Sequence, residues 1–279
     1  MLDGLVVVDK EPGWTSHDVV AKLRGRFRQK RVGHSGTLDP DAAGVLLVGL
    51  GRVTRLLRYL TDLPKTYTGE VVLGTATTTL DASGDVTGAW DMSTVTLADA
   101  RRAAAGLTGE ILQVPPMVSA VKVGGRRLHE LARAGIEVER EARPVTVHRF
   151  EVAATADPAV YGLEVECSSG TYIRTLAADL GTALGGGAHL RNLRRTAIGS
   201  FTLADAHPLD ALAEEHVIPP VVALRDYPSV EVDADTLVLV GHGRSVPGLP
   251  PGTVGLRSPA GDLVAVYEDG KPAVVLTPA

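Results

Sequence analysis

Residues 33–51 read Gly-His-Ser-Gly-Thr-Leu-Asp-Pro-Asp-Ala-Ala-Gly-Val-Leu-Leu-Val-Gly-Leu-Gly. They set one carboxylate, Asp39, on a Gly/Pro-rich turn that runs straight into an apolar segment. Pro40 has a fixed φ and drives Asp39 out of the helical region. Glycines at 33, 36 and 44 let the backbone turn sharply or let another molecule come close. A carboxylate held in this way is presented for use, although Asp-Pro-Asp alone is also a common surface turn.

Working outward, Leu5-Val6-Val7-Val8 reads as a strand entering a turn at 9–13. Ser16 can cap a helix that carries Val19, Val20, Leu23 and Phe27 on one face and basic residues on the other. Residues 52–60 repeat at helical spacing and 66–73 alternate as a strand. The Thr/Asp/Gly-rich stretch 75–88 reads as a loop, and 96–105 as a helix capped by Thr96. Residues 113–144 are basic and poor in core formers, which suggests an insertion standing off the main body, with a short helix near 128–134. Strands follow at 145–153 and 161–167, a helix at 171–181 and a strand at 189–198. Beyond Pro219-Pro220 the chain reads as short strands and turns, at 229–233, 237–240, 253–257, 263–267 and 273–276. Mixed strands and helices without a βαβ rhythm predict an α+β fold. The division expected is a domain over 1–222, carrying the insertion at about 113–144, and a small β domain over 223–279.

At 279 residues, 44% hydrophobic and 22% charged, the composition is that of a globular protein. Asp3 and Asp9 stand where a signal peptide would be basic, and no apolar run reaches the roughly 20 residues that span a bilayer. Cys167 is the single cysteine, so a disulfide framework or cysteine metal site is not expected. The eight histidines lack metal-ligand spacing, and no phosphate or dinucleotide loop is present, so neither metal nor cofactor is predicted. Gly33-His34-Ser35 begins like a hydrolase nucleophile elbow, but Thr37 stands where that turn requires a small residue. Net charge is −5, unevenly placed. Ten basic residues face six acidic ones over 1–60 and seven face four over 121–149, whereas 196–279 holds four against eleven. A basic front on an acidic body suits a polyanion partner.

Several long segments, in order, resemble the TruB-type bacterial tRNA pseudouridine synthases, and the match covers essentially the whole chain. They are Gly4-Leu5 to Gly13, Gly33 to Leu46, Lys65-Thr66-Tyr67, Gly74 to Gly84, Pro115 to Lys122, Ser169 to Leu176, Gly186 to Leu190 and Leu193-Arg194-Arg195. Ser35 stands where Thr is more usual and Val118 where Tyr is common. The resemblance implies a pseudouridine synthase fold with a mixed, largely antiparallel sheet, a thumb-like insertion and a C-terminal PUA-like domain. It implies isomerisation of uridine 55 in the tRNA T-loop, without metal or cofactor, by a cytoplasmic monomer with no obligate partner protein. Asp39 would be the essential carboxylate, acting by addition to C1′, by removal of the C2′ proton, or by addition to base C6. Arg174 would pair with it, Tyr67 would stack on the base near C5, and Leu193 would line the uracil pocket. His34 would fill the space of the flipped uridine. Lys10, Lys65, Tyr172 and the 22–31 basic helix would contact RNA, as would Lys122, Arg126 and Arg127 of the thumb. A tRNA-binding folding factor with no essential catalysis is the rival reading.

Overall fold

The computed structural model describes residues 2–119, 122–136 and 138–276. The chain forms two compact units, one of Met1–Pro40, Gly44–Asp62 and Ile198–Ala279 and the other of Asp41–Ala43 and Leu63–Ala197. The first begins with strand β1 (Gly4–Lys10), whose Leu5 to Val8 are all buried. Helix α1 (Ser16–Arg26) follows, and its start is fixed by a capping box. The Thr15 hydroxyl accepts from the Asp18 amide at 3.1 Å, and the Asp18 carboxylate accepts from the Thr15 amide at 2.9 Å. The cap is therefore Thr15 and not Ser16, whose hydroxyl is engaged elsewhere. Strands β2 (Val32–Ser35) and β3 (Ala43–Leu50) pair antiparallel, and β3 pairs antiparallel with β1. Val6, Val8, Leu46, Val48 and Leu50 pack with Val19, Val20 and Leu23 of the helix. Each such side chain contributes about 1.5–3 kcal/mol by leaving water. The helical stretch expected over 52–60 is divided into a 3₁₀ turn at Gly51–Arg55 and helix α2 (Leu57–Asp62).

The second unit opens with β4 (Lys65–Leu73). The loop expected over 75–88 contains a hairpin, β5 (Thr75–Thr77) and β6 (Val86–Ala89), because β-branched residues flank the turn. Helix α3 (Leu97–Gly106) has the expected Thr96 cap, completed by Asp99. After β7 (Gly109–Gln113) comes the insertion, with β8 (Lys122–Val123), β9 (Arg126–Arg127) and α4 (Leu128–Arg133). Gly124 and Gly125 have φ of 58° and 83°, which supports the two-residue hairpin turn between β8 and β9. Strands β10 (Arg143–Ala154) and β11 (Val160–Cys167), helix α5 (Ile173–Ala183) and strand β12 (Ala188–Ile198) complete the unit. The sheet order is β12-β4-β11-β10-β7, and β4 to β7 along it are antiparallel.

The chain then returns to the first unit through β13 (Phe201–Thr202) and β14 (His207–Pro208). The latter joins β1 in parallel, and Ile218 adds a bridge to Leu5. Next come α6 (Pro220–Ala223), β15 (Ser229–Glu231), α7 (Ala234–Gly241), β16 (Thr253–Arg257), β17 (Leu263–Glu268) and β18 (Lys271–Val275). The last four strands form one sheet with its own core of Val232, Val240, Val254, Leu256, Val264 and Tyr267. Residues 237–240 are helical and not the expected strand. Asp233 caps that helix by accepting from the Thr236 amide at 2.8 Å, which overrides the β preference of Leu-Val-Leu-Val. Arg52 and Arg55 donate to the carbonyls of Leu276 and Val275, and Arg58 pairs with Glu268.

Candidate active site

Asp39 lies half-buried on the turn between β2 and β3, and the residues on either side of it are tied down. The Ser16 hydroxyl, 1% exposed, accepts from the Leu38 amide at 2.9 Å and donates to the Leu38 carbonyl at 3.1 Å. The Pro40 carbonyl accepts from the Gly13 amide at 2.9 Å and from Lys10 Nζ at 3.0 Å. Lys10 also donates to Trp14 O and Glu11 O, at 2.8 and 3.0 Å, and is 1% exposed. Its ammonium thus works inside the protein as a clamp on the Asp39 turn, where a phosphate-facing cation was expected. Burying a charge is costly without such a set of acceptors. Gly36 has φ of 75°, a value that disfavours a side chain. Ser35 Oγ lies 3.0 Å from Thr61 Oγ1, which keeps the hydroxyl in the family pattern engaged. His34, on β2, stands edge-on to His17 at 5.3 Å between ring centroids. Sequence reasoning did not single out His17, and it read Ser16 only as a helix cap; the signal for its anchoring role is a hydroxyl one residue inside a helix that Thr15 already caps.

The second unit holds the other expected groups. Tyr67 is buried on β4 opposite Val165 of β11. Lys65, at the start of the same strand, is also buried and donates to Leu63 O at 2.6 Å. Like Lys10, it has an internal acceptor. Tyr172 is the N-cap of α5, and Arg174 follows in its first turn. The Arg174 guanidinium, buried, donates to Thr79 O at 2.9 Å and to Val118 O at 2.8 Å and lies 3.3 Å from the Asp81 carboxylate. Asp81 in turn accepts from the Thr79 hydroxyl and from the Ser83 hydroxyl at 2.6 Å each, and from the Ser83 amide at 3.1 Å. Leu80 sits at φ of 62°, a strained value for its side chain, held by bonds of the 80–82 segment to Leu190. Asp81 was visible in the Gly74–Gly84 motif but its role was not; a 93-residue separation from Arg174 leaves no local signal. Leu193 is half-buried on β12, which runs so close to β4 that a Cβ on Gly69 would lie 3.5 Å from Leu193 Cα.

The basic segments sort by what they touch. Lys22 and Arg26 reach Asp210, and Arg24 donates to Val32 O. Arg28, Lys30 and Arg31 are exposed and make no ion pair among the described residues. On the insertion Arg126 is exposed. The side chains of Lys122 and Arg127 lie outside the described residues, although their backbones pair across the hairpin.

Two family models match the chain. One, TruB family pseudouridylate synthase (N-terminal domain), covers residues 24–173, and the other, tRNA pseudouridylate synthase B C-terminal domain, covers 174–219. A protein of Arthrobacter sp. (strain FB24) called tRNA pseudouridine synthase B is 46% identical, over 100% of this chain and 98% of its own length. A protein of the same description from Corynebacterium aurimucosum is 48% identical, over 96% and 93%. Among solved structures, an H/ACA RNP bound to a substrate RNA containing 2′-deoxyuridine aligns with a TM-score of 0.74 at 25% identity, covering 99% of this chain and 85% of that one. A Cbf5-Nop10-Gar1 complex aligns with the same TM-score at 27% identity, covering 99% and 84%.

Proposed function

The chain belongs to the TruB family of pseudouridylate synthases, and on that premise we propose that it converts uridine 55 of the tRNA T-loop to pseudouridine through Asp39. The enzyme class is isomerase and the fold is that of the pseudouridine synthases. The reaction breaks the N1–C1′ bond, turns the base and rejoins it through C5, with loss of the C5 proton. The observation that carries the reading is the doubly anchored turn, which presents a half-buried carboxylate between two fixed peptides.

Asp39 acts as an anion, whether it adds to C1′, removes the C2′ proton or adds to C6. Arg174 supplies the opposite charge that favours the ionised form. Tyr67 stacks on the base and serves the C5 proton transfer, and Leu193 and Tyr172 line the base and its neighbours. His34 takes the place of the uridine flipped out of its loop. Arg126, Lys122 and Arg127 of the insertion, with Arg28, Lys30 and Arg31, neutralise T-stem-loop phosphates. The 223–279 segment is a PUA-like cap on an enzyme that works in the cytoplasm as a monomer.

The test is tritium release from an unmodified tRNA transcript labelled at uridine C5, with a position 55 U→C control. Release that disappears in the control and in Asp39→Asn, with tRNA still bound, supports the reading. Wild-type turnover in Asp39→Asn overturns the site assignment. Binding without any release moves the protein to the folding-factor class.

A further inference from the structure

Strand β7 ends at Gln113, where the insertion departs, and Gln113 pairs with Arg143, where the insertion returns. Gln113 is 2% exposed, so both ends of its carboxamide need partners. They find them in one residue 59 positions away. Gln113 Oε1 accepts from the Tyr172 amide at 2.7 Å, and Gln113 Nε2 donates to the Tyr172 carbonyl at 3.1 Å. That carbonyl also takes the first bond of α5, from the Leu176 amide at 3.1 Å. The N-cap of α5 has no side-chain capping bond of its own, so Gln113 holds the start of the helix from another strand. Arg174, two residues further on, donates to Val118 O inside the insertion. The root of the insertion and the first turn of α5 are thus joined at two points.

We propose that Gln113 is a positioning residue for the isomerisation, locking the Arg174 helix start to the root of the insertion; this rests on the role given to Arg174 above. The carboxamide touches no reacting atom. It sets the register of the Tyr172–Arg174 backbone, so that seating the insertion on RNA and placing the guanidinium are one event.

Gln113→Met keeps the length and removes both bonds. Gln113→Glu keeps an acceptor for the Tyr172 amide, and only its protonated form can also donate to the Tyr172 carbonyl. Single-turnover rates, tRNA affinity and melting temperature are measured for both with the C5-labelled transcript. The expected result for Gln113→Met is a rate at least tenfold lower with affinity changed less than twofold. Gln113→Glu should approach the wild-type rate at the acid end of the pH profile and lose it as the carboxyl ionises, a dependence absent from wild type. A wild-type rate in Gln113→Met overturns the proposal, as does a loss of rate matched by equal loss of affinity. So does a flat Gln113→Glu profile. If the wild-type protein itself releases no tritium, the functional reading fails instead. Amide exchange at Tyr172–Leu176 in the Met variant then still reports the lock, and unchanged protection there overturns it.

Discussion

At the scale of single residues, the proposed site separates groups assigned to chemistry from groups that hold them. In the proposed mechanism Tyr67 serves proton transfer through its hydroxyl alone, whereas its ring stacks on the base. Tyr67→Phe is therefore expected to keep tRNA affinity within about twofold and to lower product formation by about 10²-fold or more; an unchanged rate would remove the hydroxyl from the mechanism. Cys167 offers a check on the core below this strand. It is 1% exposed beside β4, and burial pushes its thiol from 9.0 up to about 11. A raised folded-state value means that the stability linked to this group is complete below about pH 9 and is lost as pH rises toward 11. The native thiol should stay unalkylated by iodoacetamide at pH 8 for hours and react at once in denaturant. Rapid labelling of the native protein would contradict this burial. Asp39, Tyr67 and Arg174 could be proposed from the sequence because each sits in a short local pattern. The anchors were not: Ser16, Asp81 and Gln113 gain their roles from partners 22, 93 and 59 residues away.

At the scale of elements, local signals worked where capping chemistry was complete and failed where a neighbour decided. Thr96 with Asp99 gave α3 its start, but at α1 the rival hydroxyls Thr15 and Ser16 are adjacent, and tertiary bonding to Leu38 assigns them. The stretch Leu-Val-Leu-Val at 237–240 has strand propensity, yet a single Asp233 cap and packing of Val240 make it helical. Arg52, Arg55 and Arg58, spaced by three, lie in the stretch read from sequence only as repeating at helical spacing. They instead grip β17, β18 and Leu276 of the C-terminal sheet, with Tyr59 and Tyr227 donating to Glu268 and to Tyr59 O at 2.8 Å each. Replacing Arg52 and Arg55 with Ala together should lower stability by roughly 1–3 kcal/mol, since the bonds are charge-assisted. It should also speed proteolysis within 253–276. A protease pattern and urea midpoint equal to wild type would show that the row carries no load.

At the scale of the whole molecule, the net charge of −5 conceals where a polyanion is met. Half of the 22–31 cations are spent on Asp210 and on backbone carbonyls, which leaves Arg28, Lys30 and Arg31 available with Arg126. Changing Arg28 and Arg31 to Ala should weaken tRNA binding without altering the single-turnover rate of bound tRNA. The log–log salt slope should become shallower by about 1 for each phosphate no longer neutralised. Parallel salt slopes for variant and wild type would take these residues off the RNA path. The first unit has one further property, which concerns its manufacture. Its β1 needs β14 and Ile218 as neighbours, and its Arg52 and Arg55 need the carbonyls of 275 and 276. On the ribosome, the first 62 residues therefore emerge long before the segments that complete their sheet. At about 5–20 residues per second that wait is roughly 10–40 s. The segment from 63 to 197 has formed its own strand pairs by then, so the sheet of the first unit is begun early and completed late.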